Sequence, residues 1–256
     1  MSVDSYAVSM KRNAHPHPHP TPHPIPHSLP LELRTPLNGI IGNTELLLSD
    51  LDLFDPPEIR EILEDVYTAG RRLHRLIVNF LLYADLEIIG LNADRVQFLR
   101  NAQAKDVKAA IAEAATRQAK LSEREADLNL ALEDATVQIA ANQLEKVVEE
   151  FIDNACKFSD PGTPIEIRSE ISDGWFVLRV GDRGRGMTPE QIDGIGAHMQ
   201  FERKLYEQQG SGLGLSIAKR IVELHGGELV IESQPDQGST VSVKLPLAIS
   251  EDSQSD

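Results

Sequence analysis

A single cysteine, Cys156, stands among 256 residues, so no disulfide can form within the chain, and such usage fits a reducing compartment. Cations are also short. The 25 Lys+Arg against 40 Asp+Glu leave a net charge of −15, which argues against nucleic acid as a partner, since phosphate binding needs a surplus of Lys and Arg on some face. Long apolar runs are missing: the most apolar, Leu76 to Ala84, is interrupted by Asn79 and falls far short of a membrane span. The start carries no basic segment followed by an apolar one and reads as lacking a secretory signal. These absences predict a soluble, cytoplasmic, acidic protein. Any polyanionic ligand then has to be held locally, by backbone N–H groups, one or two cations and a metal. With 41% hydrophobic residues, the chain can still bury a core in one large domain or two small ones.

Residues 1–30 show no apolar periodicity. His15, His17, His19, His23 and His27 alternate with prolines, which predicts an extended, solvated and disordered tail rather than a metal-binding tract. From Leu37 the pattern turns helical, with Ile40, Ile41, Thr44, Leu47, Leu48 and Leu51 in step, until Asp55-Pro56-Pro57 breaks it. Beyond the break, Ile59, Ile62, Val66, Ala69, Leu73, Leu76, Phe80 and Tyr83 alternate three and four apart, as in a coiled-coil seam. The two helices make a hairpin over 31–91, whose spare apolar stripe predicts a homodimer in the form of a four-helix bundle. Residues 92–125 read as a mixed connection with a weak helix at Val107–Ala119.

The remainder reads as α+β. Strands are expected at Leu128–Leu132, Thr136–Ile139, Ile165–Ile171, Trp175–Val180, Glu228–Glu232 and Ser239–Pro246. Helices are expected from about Asn142 to Phe158 and from near Gly212 to His225, the latter capped by Gly226-Gly227. The second domain thus spans 92–248, and 249–256 form an acidic, frayed tail.

Three clusters carry chemistry. Glu150, Asn154 and Lys157 are spaced four and three apart and share a helical face apart from the Phe151/Ile152/Ala155 stripe. An amide oxygen beside a cation suits a metal–phosphate pair, although such spacing alone also describes an ordinary solvated face. Asp182-Arg183-Gly184-Arg185-Gly186 follows a strand, and a carboxylate with permissive glycines suits an adenine amino group. Gly210-Ser211-Gly212-Leu213-Gly214-Leu215 opens a helix, where free N–H groups favour an anion. It neither follows a strand as a Rossmann loop does nor carries the Lys-Ser/Thr of a P-loop.

In this order, with Phe201 between the second and third clusters, these runs resemble the N, G1, F and G2 boxes of sensor histidine kinases; Gly238-Ser239-Thr240 resembles their last glycine box. Upstream, Glu32-Leu33-Arg34-Thr35-Pro36-Leu37-Asn38 resembles the H-box that opens the family's dimerisation hairpin. The resemblance covers about Pro30 to Leu247. It implies a helical hairpin followed by a GHKL-type (Bergerat) α/β sandwich that binds ATP and Mg²⁺. By that resemblance Asn154 holds the metal and Lys157 lies near the phosphates. Asp182 accepts from the adenine amine, Gly184 and Gly186 shape the base pocket, and Gly210, Gly212, Leu213 and Gly214 wrap the triphosphate. Residues 188–209, with Phe201, form the lid. Glu150 takes a position that is often Asn in the kinases and is a water-activating Glu in hydrolytic relatives. Its role stays open.

One departure stands out. Where the family has its phospho-accepting His, this chain has Leu31, which offers no nucleophilic nitrogen. Glu32, which in the family helps activate that His, is left with nothing to deprotonate. Pro30 argues against His27 as a substitute, and His74 lies off the seam. Thr35 falls where the family keeps the residue used to dephosphorylate a receiver domain. The resemblance therefore implies a kinase in phosphorelay to a response-regulator Asp. The alternative is a degenerate member acting as a response-regulator phosphatase or as an ATP-binding dimeric regulator. A minimal GHKL kinase acting on protein Ser is disfavoured by the Arg34-Thr35-Pro36-Leu37 element and the long hairpin.

Overall fold

A computed structural model describes residues 31–193, 195 and 213–248. The histidine-rich tail, Phe201, Gly210, Gly212, most of the expected lid and the acidic tail lie outside the described residues. Among the described residues no single helix is long and apolar enough to cross a membrane.

The hairpin consists of α1 (Leu31–Asp50) and α2 (Pro56–Gly90). The first starts earlier than its periodicity suggests and runs through Pro36, which lacks the N–H that would bond the Glu32 carbonyl; Pro36 is buried, so packing offsets the lost bond. The break is sharply specified. Asp55 accepts from the Glu58 N–H at 2.9 Å, and the Glu58 carboxylate accepts from the Asp55 N–H at 2.9 Å, a reciprocal cap with prolines at the first helical positions. Seam residues Ile59, Ile62, Val66, Ala69, Leu73, Leu76 and Tyr83 are half-buried, whereas Phe80 is exposed, as is His74.

A short helix, α3 (Ala93–Arg100), follows α2 at 108° in the stretch expected to be a mixed connection, where the one helix expected was at Val107–Ala119. Asn92 caps it by accepting from the Arg95 N–H at 3.0 Å. Next comes α4 (Val107–Lys120), close to its expected span.

Among the described residues five strands form one sheet: β1 (Leu128–Ala131), β2 (Ile165–Ser172), β3 (Trp175–Asp182), β4 (Glu228–Gln234) and β5 (Gly238–Pro246), in the order β1-β2-β3-β5-β4. The β1–β2 pair is parallel and the others are antiparallel. The β2–β3 hairpin turns on Asp173 and Gly174, both at positive φ (53° and 80°), the conformation a two-residue turn of that hand requires. Helices α5 (Ala141–Phe158) and α7 (Leu213–Leu224) complete the unit, with a short α6 (Pro189–Asp193) after β3. The expected strand at Thr136–Ile139 is not one. Among the described residues Val137 makes isolated bridges, to Ala104 and Leu247, and the residues before and after it are irregular, so no ladder extends from them.

Strand alternation turns Ile165, Ile167, Phe176, Leu178, Val243 and Leu245 inward, against Leu144, Val147, Val148, Phe151, Ile152, Ile217 and Ile221 of the helices. This is a helical hairpin followed by an α/β sandwich, as the sequence leads one to expect. The two parts are not strung apart. Leu86 of α2 is buried in the sandwich core, with Leu82, Tyr83 and Ile89 packed against it.

Candidate nucleotide site

The site is built around α5. Its apolar stripe is fixed against the sheet, so the face carrying Glu150, Asn154 and Lys157 is turned elsewhere. Burial falls along that face: Glu150 is 3% exposed, Asn154 is half-buried and Lys157 is exposed. Asn154 Nδ2 is buried and has no hydrogen-bond partner among the described residues. An amide can present its nitrogen or, turned over, its oxygen to the same place, so a carbonyl ligand for a hard cation fits here.

Lys157 does not reach outward. It pairs with Asp153 one turn back, and Asp153 also takes a two-pronged contact from Arg75 (Nη1 to Oδ1 at 2.9 Å) and a bond from Gln118 at 3.2 Å. Burial pushes the Asp153 carboxyl up, but bonds from Arg75 and Lys157 outweigh it and hold the group below its ordinary value. Asp153, absent from the sequence reading, is thus the charge centre of this face. Glu150 is likewise engaged, with Lys146 Nζ at 2.5 Å from Oε1 and Arg75 Nη2 at 3.6 Å from Oε2.

The second cluster adjoins the C-terminal end of α5. The Arg185 N–H donates to the Phe158 carbonyl at 3.0 Å, and the Arg185 guanidinium stacks 4.3 Å above the Phe158 ring. Gly184 presses on that same carbonyl so closely that no Cβ would fit, and Gly186 packs equally tightly on Gln234 while at φ 66°. Both glycines therefore serve the loop's own packing, which in turn sets where Asp182 stands. Asp182 ends β3 opposite Ser239 and accepts from the Gly184 N–H at 2.8 Å. Burial raises its pKa above the ordinary value of 3.8, against the pull of the backbone donors Gly184 and Ser239.

The third cluster begins α7. A Cβ on Gly214 would collide with Glu150 Oε2, and Leu213 is buried, so the start of α7 lies directly against α5. Two of the three clusters therefore touch the first, one at Phe158 and the other at Glu150. Glu32 and Thr35 are both exposed on α1, on the hairpin and not within this cluster.

Arg124 went unnoticed in the sequence because nothing local marks it. It is 3% exposed and bonds Asp127, the Cys156 and Ser159 carbonyls at 3.2 and 3.0 Å, Ser159 Oγ at 3.2 Å and the Thr163 carbonyl at 3.1 Å. It ties the last turn of α5 to the loop that enters β2.

Comparison with known proteins matches these parts one by one. Residues 32–88 match the family described as His Kinase A (phospho-acceptor) domain. Residues 139–249 match the family described as histidine kinase-, DNA gyrase B- and HSP90-like ATPase. The chain is similar to the histidine protein kinase DivJ of Caulobacter vibrioides (32% identity over 225 residues) and to the sensor protein SrrB of Staphylococcus aureus (29% over 227). These alignments cover 85% and 84% of this chain but 36% of each relative, so the chain spans about a third of their length. In fold it is similar to the Acinetobacter baumannii histidine kinase AdeS, with a TM-score of 0.63 and 23% identity over 85% of this chain and 98% of that one. A phospho-acceptor-type hairpin followed by a kinase-type ATPase sandwich, in that order and with these relatives, makes the chain a member of the sensor histidine kinase family.

Proposed function

We propose that this chain binds Mg-ATP on the face formed by α5, the Asp182 loop and the start of α7, and works as a dimeric signal-transduction protein in phosphorelay with a response-regulator receiver domain. The observation that carries the reading is the direct contact of all three clusters through α5, at Phe158 and at Glu150. In this reading Asp182, ionised, accepts from the adenine amine, and Asn154 holds the metal through its amide oxygen. Gly210, Gly212, Leu213 and Gly214 wrap the phosphates, Phe201 belongs to the lid, and Lys157 contributes positive charge once freed from Asp153. Bound magnesium would neutralise charge on the transferred phosphoryl group. The hairpin, through its half-buried seam, supplies the homodimer and the receiver-docking surface.

Leu31 favours a second reading for the phosphoryl step. Leucine cannot accept a phosphoryl group, so Glu32 has no partner to activate, while Thr35 remains exposed on the same helix for dephosphorylating a receiver. One experiment addresses both readings: wild type, Asp182→Asn and Leu31→His are incubated with γ-phosphate-labelled Mg-ATP, with binding read by calorimetry and covalent label by acid lability. Wild type is expected to bind and Asp182→Asn to bind at least about tenfold more weakly, the loss of one charged hydrogen bond. Only Leu31→His should become labelled. Equal affinity in wild type and Asp182→Asn rejects the pocket, and acid-labile label on the wild type rejects Leu31 as the lost acceptor.

A further inference from the structure

The hairpin reaches the nucleotide face through polar groups. Arg75, on α2 and 40% exposed in its side chain, is committed to two carboxylates of α5 that are almost sealed from water. Asp153 directly precedes Asn154, and Glu150 sits one turn before it. A second strut runs the other way: Lys146 of α5 bridges Glu150 and the side-chain oxygen of Asn79, at 3.0 Å from the latter, and Asn79 is 3% exposed on α2. Arg220 of α7 meets Glu87 of α2 at 3.0 Å and Arg100 of α3 meets the Leu224 carbonyl at 3.0 Å, further along the same seam.

The consequence falls on Glu150. Its Oε1 is drawn by Lys146 and its Oε2 by Arg75, and in that pose Oε2 fills the space beside Gly214 in the first turn of α7. A carboxylate fixed there puts a negative charge at the start of the helix that, on the reading above, receives a triphosphate. Two anions in one poorly solvated place repel strongly.

We infer that Arg75 is a latch between hairpin and nucleotide domain, and that the latched hairpin and bound Mg-ATP oppose one another through the pose of Glu150. While Arg75 grips Asp153 and Glu150, the carboxylate stays wedged against α7. When the Arg75–Asn79 stretch of α2 loosens from α5, Glu150 can swing away and the phosphate seat opens. Coupling of this kind is reciprocal: nucleotide must loosen the hairpin by the factor by which the latch weakens nucleotide. The inference rests on the nucleotide reading and adds its regulation by the hairpin.

The test uses the full chain. A fluorescent ATP analogue with Mg²⁺ is titrated into wild type, Arg75→Lys and Arg75→Ala. Removing the latch should tighten binding by about fivefold or more, the low end of usual coupling between sites, with Arg75→Lys between Ala and wild type because it keeps the charge but loses the two-pronged grip. Unchanged or weaker binding in Arg75→Ala overturns the latch while leaving the nucleotide reading intact. Absence of binding in every protein, wild type included, overturns the nucleotide reading and the latch with it. A second measurement needs no variant: hydrogen exchange of wild-type amides in residues 72–82 should speed up when Mg-ATP is added. Equal or slower exchange there overturns the latch even if Arg75→Ala fails to fold.

Discussion

The hairpin and the sandwich spend their apolar residues differently. In the sandwich, Ile111, Val147, Ile152, Phe176, Leu178 and Ile217 have no exposed surface at all and belong to one core shared by several elements. Along α1, the turn after it and the first half of α2, by contrast, Leu48, Leu53, Leu63 and Tyr67 are 81%, 77%, 52% and 65% exposed. Only from Leu82 onward do apolar side chains of α2 join the core of the sandwich. The difference teaches that one region closes its apolar surface within the chain, while the other leaves a stripe that the proposed homodimer would cover with a second copy.

The largest effect that would break this comparison lies in the seam. Replacing Leu73 and Leu76 together by Asp puts two charges where a partner helix is expected, at a cost of several kcal/mol to the dimer. Light scattering should then report half the wild-type mass; an unchanged mass would mean the hairpin is not the dimer interface. Next comes truncation in the finished core. Phe176→Ala should lower unfolding stability by about 3–5 kcal/mol, whereas Leu73→Ala, half-buried within one chain, should cost about 1 kcal/mol or less at concentrations where the protein is monomeric. Equal costs in chemical denaturation would erase the distinction between the two regions.

The smallest effect sharpens it at the junction. His225 closes α7, is 1% exposed, and donates from Nδ1 to the Ile221 carbonyl at 2.8 Å. Burial drives its pKa below 6.5 against that hydrogen bond, and the nearby Arg100 charge adds to the lowering. Folding therefore favours the neutral ring. Its stabilising share is complete above pH 6.5 and is lost as the pH falls from there toward the depressed folded value, where the unfolded chain takes the proton first. The melting temperature should fall modestly between pH 7 and pH 5, and His225→Leu should remove that part of the slope.

What the sequence disclosed, and what it hid, follows the range of the interactions. Helix α5 was legible because its apolar positions repeat every three to four residues, and the β2–β3 turn because Asp173-Gly174 is a local conformational demand. Glu150, Asn154, Asp182 and Gly214 could be singled out as a set because each sits in a short motif. The roles of Asp153, Arg75 and Arg124 could not, since Arg75 meets Asp153 across 78 positions and Arg124 meets Ser159 across 35, and no local pattern records such a meeting. The stretch at Val137 misled for a related reason: a β-branched run looks like a strand whether its pairing extends along a ladder or, as here, stops at single bridges. The early start of α1 was hidden by Pro36, whose local penalty is overridden by its burial.

The knot at Arg124 has a mechanical meaning. One guanidinium, itself shut away from solvent, clamps the final carbonyls of α5 and the segment at Thr163, and the Phe158 carbonyl within that clamped stretch is the very atom on which Arg185 and Gly184 rest. The rigidity of the wall beside Asp182 is thus inherited from a rivet behind it, so wobble at the rivet would blur the outline that, on the proposed reading, meets a flat base, even with every residue of the wall left in place.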